Sequence, residues 1–219
     1  MSRVLLVVVA LCTVAADAAA QELSRYRNYL LLSSPEAVHA VGGGRPLDTR
    51  VVHVRPAKIE EMQWRAPYAL ADAAADPVRE IVFSFYDDQL YQLVVHYDRD
   101  KTDGLTNRDI VDSLAATYGV PHSAAGLRGS APINWLALAR WDDADSSLVL
   151  LRDAYSPVFQ LVMTAKSLAA RARTAAAESK RLDAVEAPRL ALERRQKDAA
   201  EASAAREAAR QANKEAFTP

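Results

Sequence analysis

The chain has 219 residues, a formal net charge of −1, hydrophobic residues at half of its positions and a single cysteine, Cys12. A disulfide framework and a cysteine-ligated zinc set are therefore excluded, and after the first 20 residues no run approaches the length of about 20 apolar residues that a membrane span needs. The near-neutral total hides a split, with 14 basic and 19 acidic residues between positions 21 and 165 but 12 basic and 8 acidic from 166 onward. The acidic body and a basic tail with one aromatic, Phe217, speak against nucleic acid as a partner.

Arg3 precedes an apolar run over 4–16, and Ala18, Ala19 and Ala20 precede the polar Gln21 and Glu22. This is the pattern of a secretory signal over 1–20, cut near Ala20. Cys12 follows the bulky Leu11 where a lipoprotein signal requires a small residue, so lipid attachment is not expected. Arginine outnumbers lysine and alanine is abundant, in the style of a GC-rich bacterial gene. The expected location is the periplasm, or the medium after secretion.

The body is expected to span 21–165. A short apolar run over 26–32 reads as extended chain. Ser34, Pro35 and Glu36 then give an N-cap, a first-turn proline and a first-turn acid, and Gly42, Gly43 and Gly44 end that helix after about two turns. Two strands follow at 49–55 and 59–64, and the Ala/Asp stretch 66–77 between two prolines reads as a linking loop.

The stretch 80–121 is the most legible part. Alternation predicts a hairpin, and a three-residue loop of Asp87, Asp88 and Gln89 sets Phe85 against Tyr91, Phe83 against Leu93 and Ile81 against Val95 on one apolar face. The other face, with Ser84 against Gln92, Val82 against Val94 and Glu80 against His96, is half polar and expected near solvent. Thr106 and Asp109 form a capping box, and Ile110, Val111, Leu114, Ala115 and Tyr118 make one apolar helical stripe that ends at Gly119 and Pro121. A loop over 122–132 leads to three more strands at 133–141, 147–152 and 158–164.

These elements predict an α+β fold, an antiparallel sheet with packed helices. The halves 26–65 and 80–164 share a plan of capped helix, glycine, proline and Trp-bearing strands (Trp64; Trp135 and Trp141), as in a degenerate duplication. From 166 to 219 the chain is rich in alanine and charge, which predicts a long helix, interrupted or bent at Pro188 and fraying or disordered beyond Leu192. Leu168, Leu182, Val185 and Leu192 fit parts of a coiled-coil heptad, but Arg171, Glu178 and Arg189 share that seam.

Three groups could carry chemistry. Asp98, Asp100, Thr102 and Asp109 stand at EF-hand positions 1, 3, 5 and 12, although Asp103 occupies the position that needs glycine and Asp109 is shorter than the usual glutamate. Glu80, His96 and Asp98 form a carboxylate-histidine grouping suited to hydrolase-like acid-base work, or else a surface cross-strand pair. Trp64, Trp135 and Trp141 with Tyr91 and Tyr97 form either a binding face or core. No nucleophile elbow, phosphate-binding loop or dinucleotide fingerprint is present, and no cofactor is expected.

The sequence Gly104-Leu105-Thr106, the helix that follows, Tyr118-Gly119-Val120-Pro121 and then Trp135 resemble the small periplasmic α+β domains of the SmpA/OmlA outer-membrane assembly lipoprotein and β-lactamase inhibitor protein type. The resemblance covers about 50 to 60 residues of the second half, echoed in the first. It implies a binding or scaffold module working on another envelope protein, with no functional residue carried over. This chain departs from the type by lacking a lipobox cysteine and disulfides and by adding the basic tail. A non-catalytic binding or adaptor module is thus expected, with an enzyme using Glu80, His96 and Asp98, or a calcium module, as alternatives.

Overall fold

The computed structural model describes residues 22–42, 48–65, 76–122 and 133–216. The expected signal, Gly43 and Gly44, residues 66–75 of the linking loop expected over 66–77, most of the loop 122–132 and Phe217 lie outside these residues.

A small hairpin of β1 (Arg25–Tyr26) and β2 (Tyr29–Leu30) opens the fold, so the first apolar run is a pair of two-residue strands, not one strand. Arg27 at φ 53° makes the turn. Helix α1 (Pro35–Val41) starts at Ser34, whose Oγ accepts the Ala37 amide at 3.3 Å, and ends at Gly42. Strands β3 (Asp48–His53), β4 (Ile59–Arg65), β5 (Val78–Tyr86) and β6 (Gln89–Tyr97) follow. Helix α2 (Asn107–Tyr118) begins with the capping box foreseen for Thr106 and Asp109. Strands β7 (Trp135–Asp142), β8 (Ser146–Asp153) and β9 (Phe159–Ala165) lead into helix α3 (Lys166–Ala216).

The seven longer strands form one antiparallel sheet in the order β3-β4-β5-β6-β9-β8-β7. Helix α1 is followed by the four-stranded meander β3-β4-β5-β6 and α2 by the three-stranded meander β7-β8-β9, and the two run inward from opposite edges to meet where β6 pairs with β9. The α+β class is therefore as expected.

The central hairpin corrects the expected loop. Asp87 and Asp88, at φ 45° and 62°, make a two-residue turn with Tyr86 opposite Gln89 and Phe85 opposite Leu90. A bulge at Tyr91 then restores Phe83 to Leu93 and Ile81 to Val95. Positive φ at both turn positions matches the strand twist, and the one extra residue keeps the apolar side chains on the core face. Tyr91 consequently leaves Phe85 and interacts with Ser84 on the opposite face.

On the first face Phe83, Phe85, Leu93, Val95, Leu148, Leu150, Leu161 and Met163 are buried under β1-β2, α1 and α2. Tyr29 packs on Phe83 with ring centroids 4.7 Å apart, and Tyr118 of α2 lies 6.4 Å from Trp141. Each such side chain contributes about 1.5–3 kcal/mol by leaving water, which lets a cysteine-poor body of this size hold a single fold.

Helix α3 covers part of the second face. Leu168, Ala169, Ala172, Ala175 and Ser179 are buried, so the tail's first turns belong to the packed structure. The Ser179 hydroxyl meets His53 Nδ1 at 3.0 Å, and Arg55 pairs with Glu186 at 2.8 Å and Asp183 at 3.1 Å, marking where α3 passes the β3 edge. Contrary to the expected interruption, the helix runs without a break through Pro188. Proline removes one donor, but the flanking Ala, Arg, Glu and Lys are strong helix formers, and pairs such as Arg189–Glu193 at 2.8 Å and Lys197–Glu201 at 3.7 Å support it. After Glu186 every described residue is exposed.

Candidate functional site

Strand register lays the second face out in rows that cross the sheet. Closest to the start of α3 lie Glu61, Ser84, Gln92, Thr164 and Ser147. The next row contains Gln63, Val82, Val94, Val162 and Val149, and it ends at Asp48 on β3 and Arg140 on β7. The four valines are partly exposed and stand outside the main core cluster. Beyond them Arg65, Glu80, His96, Gln160 and Leu151 form a third row. The structure thus unites Glu80 and His96 as foreseen, and sets them beside an apolar row.

His96 Nδ1 lies 3.0 Å from Gln160 Nε2. An amide nitrogen can only donate, so Nδ1 accepts and the imidazole proton sits on Nε2. Burial holds the His96 pKa below its ordinary value, with Glu80 opposing and Arg79 adding to the shift. Arg65 Nε stands 4.0 Å from the Glu80 carboxylate. The pair is therefore a neutral imidazole beside a carboxylate that faces an arginine.

Asp98 does not complete that pair. It follows the end of β6, and its Oδ1 accepts the amides of Asp100 at 2.8 Å and Lys101 at 3.3 Å. Thr102 and Asp109 are likewise used for local geometry. Thr102 Oγ1 donates to the Asp98 carbonyl at 2.9 Å, and Asp109 Oδ2 accepts the Thr106 amide and hydroxyl at 2.7 Å each. These bonds hold the Asp109 carboxyl below the usual carboxylate range. Asp98 and Asp109 are thus tied to two separate turns, and among the described residues no group of three or more His, Cys, Asp or Glu is disposed to hold a metal ion.

The aromatic set divides: Trp64, Trp141 and Tyr97 pack with the core, whereas Tyr91 meets Ser84 on the second face and Trp135 stands outside the core cluster, opposite Asp153. Trp141 is buried with its Nε1 donating to the Gly119 carbonyl at 2.7 Å, while Trp64 and Trp135 are half-buried. Tyr97 and Tyr26 share a hydrogen bond, and burial pushes both phenols up, Tyr97 most. Arg27 lies 5.4 Å from the Tyr26 ring centroid and pairs with Asp76 at 2.7 Å, which fastens the N-terminal hairpin to the start of β5.

Sequence reasoning paired Val82 with Val94 but missed the row, because its continuation into Val162 and Val149 depends on β9 pairing with β6. No family model matches the chain, and neither a curated protein nor a solved structure matches it.

Proposed function

We propose that this chain is a non-catalytic binding or adaptor module of the bacterial cell envelope, exported by its N-terminal signal, that meets another protein through the valine-bearing half of its second sheet face and the exposed arm of α3. One observation carries the reading: α3 has 51 residues, packs through Leu168, Ala169, Ala172, Ala175 and Ser179, and then sends the rest out bare past the sheet edge. An arm of roughly 45 Å, at 1.5 Å per residue, adds nothing to the packing of its own core. Bare Val185, Leu190 and Leu192 beside interspersed charge suit contact with a partner. The resemblance to envelope scaffold domains supports the same conclusion.

The test is affinity capture from periplasmic extract with the mature chain, a chain ending at Glu186 and a Val94→Lys variant. The cut falls after Glu186 because ending at Ala165 would strip Leu168 to Ser179 from the sheet. A defined partner recovered by the mature chain and lost from either variant is the expected result. Equal recovery by all three would refute the reading.

The adjacency of Glu80 and His96 favours a second reading, a hydrolase-like site on the third row. His96→Ala would then abolish turnover of an ester or amide substrate, whereas a binding module retains its partner.

A further inference from the structure

The inference rests on that reading and names the partner. We propose that the partner is a second copy of this chain, joined edge to edge through β3, with each copy's arm lying across the valine row of the other.

β3 ends the sheet, and among the described residues no strand pairs with its outer side. Its C-terminal half is apolar, with Val51 49%, Val52 38% and the adjacent Val54 77% exposed, after the polar Asp48, Thr49 and Arg50 and with a register shift between Val51 and His53. Such an edge is a template for another strand. Two identical edges pairing antiparallel are related by a two-fold axis perpendicular to the sheet, which closes the assembly at two copies and puts both second faces on one side.

The path of α3 makes this arrangement specific. Its contacts with His53 and Arg55 show that it leaves the body at the C-terminal end of β3. The two-fold places the other copy's Asp48 end next to that exit, and Asp48 begins the row that runs through Gln63 to the valines. The arm therefore heads over the row that the second copy's own α3 leaves open. Seven strands at about 4.8 Å spacing make a sheet about 29 Å across, which an arm of about 45 Å crosses in full.

Leu190 continues the sheet-facing side of α3, 11 residues beyond Ser179 and 4 beyond Glu186. It lies about 16 Å past the β3 edge, the distance of the second copy's Val82 and Val94. Its 42% exposure in the single chain is then the bare half of a contact. The charges agree in sign, since the body has 14 basic and 19 acidic residues and the stretch after Glu186 has 7 basic and 5 acidic.

Sedimentation of the mature chain up to about 100 µM tests the proposal, with Val51→Lys and Leu190→Glu as variants. Both positions are exposed in the single chain, and far-UV circular dichroism spectra matching the wild type establish that the variants fold. A dimer that each variant weakens by about tenfold or more is expected. A monomeric wild type overturns the proposal, as does a dimer that Val51→Lys leaves intact, which would place the contact elsewhere. If the wild type is monomeric yet mature chain captures another envelope protein and Val94→Lys does not, the binding reading survives and self-association fails; if it captures nothing, both fail.

Discussion

Replacing Trp141 by phenylalanine measures whether the tryptophans serve the core or a binding surface. Trp141 is 2% exposed and its Nε1 donates to the Gly119 carbonyl, the residue that ends α2. Phenylalanine cannot donate, so that carbonyl loses its indole partner at a cost of about 1–3 kcal/mol. The smaller ring also leaves space beside Tyr118, which adds about 1 kcal/mol. A loss of about 2–4 kcal/mol corresponds to a fall of about 5–15 °C in Tm for a domain of this size. Urea unfolding followed by far-UV circular dichroism reads the change without depending on the indole signal. Trp135→Phe, at a half-buried position, is the control and should cost under about 1 kcal/mol. If Trp141→Phe loses less than about 0.5 kcal/mol, the indole does not tie α2 to the sheet and the core assignment is wrong.

Three further outcomes are expected. Burial lowers the His96 pKa below 6.5, so the unfolded chain takes up the proton first as pH falls; stability is present above the unfolded pKa and is lost as pH drops through the folded one. His96→Gln should therefore lose less stability than wild type between about pH 7 and 5, and parallel pH profiles would contradict the buried imidazole. Thr106→Ala removes the hydroxyl half of the capping box, leaving the Thr106 amide on the Asp109 carboxylate, and should cost about 1 kcal/mol in urea unfolding, with no change implying that α2 starts elsewhere. Added Ca²⁺ should leave Tm unchanged, because Asp98 and Asp109 serve their own turns; a concentration-dependent rise would restore the calcium reading.

How much was legible depended on the range of the interaction. The cap of α2 was readable because Thr106 and Asp109 are three residues apart and bond to each other. The pairing of Glu80 with His96 was readable because alternation allowed few registers for a tight hairpin. The turn was misjudged by one residue, since a bulge at Tyr91 leaves the same apolar face as a longer loop. Asp98 was grouped with His96 by proximity in sequence, but the strand ends at Tyr97 and the carboxylate turns to its own loop's amides.

Local chemistry thus determined the helix caps, the hairpin faces, the α+β class and the change of composition at 166. Tertiary structure alone decided what those pieces are for. The valine row exists because β9 returns beside β6, 72 residues away at the pair Gln92 and Thr164, a long-range pairing that periodicity does not encode. A composition of alanine and charge marked α3 as a helix, but only the sheet beneath it separates a packed stretch ending near Ser179 from a bare arm after Glu186. Helix propensity is a property of a few neighbouring residues, whereas burial depends on what the rest of the chain brings against them.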